Sequence, residues 1–185
     1  LQLFVALPPL GAVVAALVIV LVEAIGRRST AWIVDGLALL GLGASAWLQL
    51  AALGHGAGAT VARGGGGALV RQDPLAAYGG LLVLFAAAFT VLVGGSTVAR
   101  RGLRRAEYTV VLLLVAAGMQ LLCAATDLVI VFLAVEAFSI GLYVLCAFRA
   151  GDLDGYEAAL KYFVLGAIAA GFLLYGTALS YAAAG

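Results

Sequence analysis

Glu136 stands alone in an apolar stretch, and that isolation gives it chemical meaning. Residues 128–148 are 21 positions with no other charged side chain. Their midpoint is Phe138, which places the carboxylate about 3 Å from the middle of a helix rising ~1.5 Å per residue. A charge that deep in hydrocarbon costs on the order of 3 kcal/mol or more. It needs a partner, a water-filled cavity or a task, and a carboxyl group that binds and releases a proton points to proton handling. A static buried ion pair is the competing reading. Ser139 and Tyr143 follow at i+3 and i+7 on the same helical face. Their hydroxyls can order water there or serve as interhelical glue.

A second charged group lies in Asp152-Leu-Asp154-Gly-Tyr-Glu157-Ala-Ala-Leu-Lys161. Asp154 is expected to cap the next helix, with Glu157 at the third helical position as in a capping box. Glu157 and Lys161, four apart, form a pair in the favourable order. Lys161 falls roughly 10 Å past the cap. It reads either as a snorkelling cation or as a member of an internal charge chain. Counted from Phe148, Glu136 is roughly 18 Å deep, and Lys161 should lie about 8 Å nearer the same end on the neighbouring helix. That separation suits coupling through water better than a direct salt bridge. Glu136 and Lys161 are therefore the candidate proton-carrying residues, with Ser139 and Tyr143 in support, while the cap position and the pairing with Lys161 account for Glu157 structurally.

The elements that must position these groups follow from composition. The chain of 185 residues is 65% hydrophobic and 10% charged, against about 25% charged residues in soluble domains. Such a chain belongs in a bilayer, where only helices or a closed barrel satisfy the backbone. The apolar runs are long and unbroken rather than alternating, so helices are expected. Six spans are predicted, at about 3–25, 30–53, 75–98, 108–126, 128–148 and 156–183. The fold class is thus all-α, a polytopic transmembrane helix bundle. No soluble domain or internal repeat is visible. Residues 54–67, with His55 and the tract Arg63-Gly-Gly-Gly-Gly, read as a flexible linker.

Arginine placement sets the expected orientation. The loops after spans one, three and five hold Arg27, Arg28, Arg100, Arg101, Arg104, Arg105 and Arg149, whereas those after spans two and four hold only Arg63 and Arg71. The positive-inside rule puts the first set in the cytoplasm and the N-terminus outside. Glu23 and Asp35 read as interfacial partners of Arg27 and Arg28. The first residue is Leu rather than Met, and this suggests an incomplete N-terminus.

Several chemistries lack their residues. Net charge +1 does not point to nucleic acid. Cys123 and Cys146, toward opposite ends of neighbouring helices, read as small buried apolar side chains and not as a disulfide or metal pair. The glycine tract lacks the Lys-Ser/Thr ending of a phosphate loop. No cofactor site is expected in the chain, and its surroundings should be lipid and other membrane helices.

The segment Asp127-Leu-Val-Ile-Val-Phe-Leu-Ala-Val-Glu136-Ala-Phe-Ser-Ile-Gly-Leu-Tyr143-Val-Leu resembles the fifth helix of the antiporter-like subunits of respiratory complex I. The stretch from Glu157-Ala-Ala-Leu-Lys161 to Tyr175-Gly is similar to the sixth helix of the subunit N type. Membership of that family implies that Glu136 is an essential proton-translocating glutamate and that Glu157 and Lys161 are its acidic and lysine pair. It also implies a larger antiporter-like fold with inverted repeats. Residues 1–106 would be the N-terminal transmembrane helices one to three. Residues 107–185 would start the first repeat, ahead of a broken seventh helix. The resemblance further implies other membrane subunits of a bacterial inner-membrane complex as partners. NADH, FMN, iron–sulfur clusters and quinone would be bound by those partner subunits. A multisubunit cation/proton antiporter is the nearest alternative, and a scaffold whose charges only fix helix packing is the other.

Overall fold

A computed structural model of the protein describes residues 2–25, 31–54, 59–62, 68–100 and 102–184. Six helices carry the fold: α1 Gln2–Ile25, α2 Ala31–Gly54, α3 Pro74–Arg100, α4 Arg105–Ala124, α5 Leu128–Cys146 and α6 Leu153–Ala184. Between α2 and α3 lie two short strands, β1 Ala59–Ala62 and β2 Ala68–Gln72. The all-α bundle expected from the apolar runs is the architecture found, with a small hairpin added. Among the described residues five helices are long and apolar enough to cross a bilayer, and α1 adds an apolar helix over Pro8–Ala24.

The first four helices form one packed unit. Its core gathers Ala15, Ala16 and Ile19 from α1, Val34, Ala38 and Leu42 from α2, Leu84, Ala87 and Val91 from α3, and Ala106, Leu113 and Ala116 from α4. Much of this core is alanine. Small side chains let helix backbones approach closely where lipid supplies no hydrophobic drive for association. Helix α5 packs chiefly on α4, and α6 chiefly on α5. At the α4–α5 contact Gly118 lies against the backbone of Phe138, and Gly141 against Val115.

Aspartates start three of the helices. Asp73 Oδ1 accepts from Ala76 N–H at 2.8 Å, and Pro74, at the first helical position, has no N–H to leave unpaired. Asp127 accepts from Val129 N–H at 2.9 Å and so turns α4 directly into α5. The third cap corrects an expectation. Asp152, not Asp154, caps α6, accepting from Gly155 N–H at 3.2 Å. Gly151, at φ 79°, turns the chain just before it, so the helix begins at Leu153. Glu157 then lies beyond the reach of a capping box.

Residues 54–67 are likewise not all linker. Strand β1 pairs antiparallel with β2, in the register Thr60↔Arg71 and Val61↔Val70, with an irregularity at Ala62. The β-branched Thr60, Val61 and Val70 suit that conformation. The hairpin is tied to the α4–α5 turn: Thr126 N–H donates to Leu69 O at 3.1 Å, and Thr126 Oγ1 to Ala68 O at 2.8 Å. His55 and the tract at 63–67 lie outside the described residues.

Candidate functional site

Helix α5 holds Glu136 one residue from its midpoint. Phe138 and Gly141 face α4. At 3.6 residues per turn Glu136 lies about 140–200° around the helix from them, on the other side. Tyr143 marks what that side meets. Its ring stacks edge-on against Tyr162 at 4.8 Å and Phe163 at 5.7 Å, and its hydroxyl abuts Gly166. A Cβ at position 166 would collide with that hydroxyl, so the glycine lets the tyrosine reach α6. Glu136 lies within about 20° of Tyr143 around α5, and Ser139, between them, is buried. Glu136, Ser139 and Tyr143 thus share one stripe, as their spacing predicts. Glu136 is half-buried. Among the described residues its carboxylate has no hydrogen-bond or ion-pair partner.

Lys161 pairs with Glu157 within α6, and both side chains are largely exposed, at 70% and 64%. The expected i, i+4 pair therefore forms, but away from Glu136. Ala159 is buried and Gly166 touches Tyr143, so both face α5. Lys161 lies about 140–200° around the helix from them. The structure brings Glu136, Ser139 and Tyr143 together and sets Lys161 and Glu157 on the far side of α6. A 450 Å³ pocket between α1, α4 and α5 reaches α5 only at Ala137 and is otherwise lined by residues such as Leu114, Ala117 and Leu121. Its lining side chains are all apolar.

A different charge pair is fully engaged. Arg105 at the start of α4 clasps Asp35 on α2 through two nitrogens, with Nε donating to Oδ1 at 2.7 Å and Nη2 to Oδ2. Its remaining nitrogen donates to Gly95 O on α3 at 3.0 Å. One guanidinium so joins three helices, in the planar fork that suits arginine. Asp35 is charge-paired as expected, but with Arg105; Arg27 and Arg28 lie outside the described residues. A partner 70 positions away leaves no local signal in the sequence. The cysteines are both free, and Cys146 is exposed rather than buried.

Residues 125–185 match the family described as NADH:quinone oxidoreductase/Mrp antiporter, TM. The NADH-quinone oxidoreductase subunit N of Rhodospirillum rubrum is 35% identical over 180 residues, 97% of this chain and 36% of that protein. The chain is similar to this antiporter-like family along nearly its whole length. The NADH:quinone oxidoreductase/Mrp antiporter likeness extends to solved structures. A chain of respiratory complex I from Thermus thermophilus is 32% identical, with a TM-score of 0.74 over 95% of this chain and 36% of that one. A chain of an archaeal membrane-bound sulfane sulfur reductase, 22% identical, shares the fold with a TM-score of 0.82 over 98% of this chain and 37% of its own. The chain spans little more than a third of the length of each of these relatives. Apolar helices and a transmembrane family together make this an integral membrane protein.

Proposed function

We propose that the chain is a proton-translocating portion of a membrane subunit of an NADH:quinone oxidoreductase, with Glu136 as its central proton-carrying group. The observation that carries this reading is the lone carboxylate at the middle of α5, unpaired among the described residues, inside the matched family region. An unpaired charge at that depth of a bilayer is strongly disfavoured, and carrying a proton would give the carboxylate its task. Ser139 and Tyr143 would orient water along the same stripe. Lys161 and Glu157 would act further along the path. Because Lys161 is turned away from Glu136, a proton passing between them would need intervening water or polar groups.

On this reading residues 1–106 support the bundle and residues 107–185 begin the translocating repeat, with α4 shared between them. The partners are other membrane subunits, which would bind NADH, FMN, iron–sulfur clusters and quinone, and the surrounding lipid. The location is a bacterial inner membrane with the N-terminus outside. Single cysteines at Thr126 and Ala150, both exposed, in a background lacking Cys123 and Cys146, should react with an impermeant reagent from opposite sides. Reaction of both from one side overturns the topology.

The decisive experiment is Glu136→Gln, which keeps the shape and removes the titratable oxygen. Assembly should persist while proton pumping and the quinone reduction coupled to it fall steeply. Normal pumping in an assembled variant would favour the scaffold reading. A cation/proton antiporter stays in view because the family description joins both activities. It is supported instead if the purified complex exchanges cations for protons and does not oxidise NADH.

A further inference from the structure

Inside the α1–α4 unit, Ser45 Oγ, Gln49 Oε1, Gln120 Nε2 and Gln120 Oε1 are buried without a hydrogen-bond partner among the described residues. The three residues are 0–1% exposed. Only Gln49 Nε2 is engaged, donating to Ala76 O on α3 at 3.2 Å. None of the three titrates, and none belongs to the Glu136 stripe.

Their placement puts them in one layer. Ser45 and Gln49 extend the buried face of α2 that runs through Val34, Ala38 and Leu42. Gln120 extends the buried face of α4 that runs through Thr109, Leu113 and Ala116. Leu42, Leu113 and Ala116 already meet in one core. Helices α2 and α4 are separated by a single antiparallel return, run in the same direction, and are pinned near their starts by the Asp35–Arg105 clasp. From that clasp Gln49 is about 21 Å along α2 and Gln120 about 22 Å along α4. The neighbouring helices approach the polar groups closely. A Cβ at Gly11 on α1 would collide with Ser45 Oγ, and one at Gly80 on α3 with the Gln49 amide.

We propose that this layer is a built water site, in which ordered water bridges Ser45, Gln49 and Gln120 between α2 and α4. Buried polar atoms are rarely left unpaired, because desolvation without a hydrogen bond is costly. A resident water needs two to four polar partners. The layer offers a donor at Gln120 Nε2, acceptors at Gln49 Oε1 and Gln120 Oε1, and a hydroxyl at Ser45 able to do either.

A cryo-EM map of the purified membrane protein with its co-purifying subunits, at a resolution that shows ordered water, tests this directly. Solvent density should lie within hydrogen-bonding distance of the Gln120 amide and of Ser45 Oγ or Gln49 Oε1. An empty layer overturns the proposal, as does one in which the two amides bond each other or the backbone. In Gln120→Leu the density should disappear while the helices keep their places. Solvent that stays put in that variant also overturns it, because Gln120 would not be what holds it.

Discussion

The two ends of this chain treat charge and burial in opposite ways. In α4, at the heart of the four-helix unit, nine residues are buried, whereas α5 and α6 bury two each. The carboxylate of the first region, Asp35, is gripped by Arg105, which also holds a carbonyl of α3. The carboxylate of the second, Glu136, has no such grip among the described residues. A buried charge that is paired and hydrogen-bonded locks helices together. One without a fixed partner is left to respond to whatever charge comes near. The first arrangement is what a support requires, and the second is what a proton carrier requires.

Removing one carboxylate from each region is the sharpest way to break this contrast. Glu136→Gln should cut pumping on the order of 10²-fold, the lower end of what a positioned acid–base group contributes, with little change in assembly. The contrast fails if Glu136→Gln instead prevents assembly while leaving pumping per assembled complex intact, because Glu136 would then be a packing residue like Asp35.

Arg105→Ala should do the reverse. It strands Asp35 and the Gly95 carbonyl in a site where the two charged side chains are only about a fifth exposed. Stranding a fully buried partner costs about 3–5 kcal/mol, and partial exposure here brings the expected loss to about 2–3 kcal/mol. Thermal unfolding of the purified complex should register it, with Asp35→Asn milder because the amide oxygen still accepts from Arg105. A stable Arg105→Ala protein that no longer pumps would move this clasp into the proton path and erase the distinction between the regions.

Glu136 was legible because a single charge in a long apolar run needs no partner to be noticed. The six helices were legible for the same reason, since uninterrupted apolar length is a local property. What stayed hidden depends on remote contacts. Strands β1 and β2 are short and border a glycine tract, and β2 gains hydrogen bonds from Thr126, far along the chain. The Asp35–Arg105 clasp joins residues that no spacing rule connects. The choice of Asp152 over Asp154 as a cap turned on Gly151, whose positive φ decides where the helix begins. One miss had a readable signal. Ala159 and Gly166 are small residues on one side of α6, and small residues mark a helix contact. Read that way, they already turn Lys161 away from α5.

Lys161 carries the smallest expected effect and sharpens the comparison most finely. Its pair with Glu157 is exposed and within one helix, a geometry worth no more than about 0.5 kcal/mol. Neither Lys161→Ala nor Lys161→Arg should therefore hinder assembly, unlike Arg105→Ala. Their effects on pumping separate two roles. An anchor needs only a long cationic stem, which arginine supplies. A relay needs a group that loses and regains a proton, and arginine stays protonated in essentially any site. Lys161→Arg should pump measurably less than wild type, yet more than Glu136→Gln, because Lys161 lies off the Glu136 stripe and nearer one end of its helix. If Lys161→Arg matches wild type and only Lys161→Ala loses activity, Lys161 is an anchor and leaves the proton path. The responsive chemistry of the second region would then narrow to Glu136 and the hydroxyls beside it.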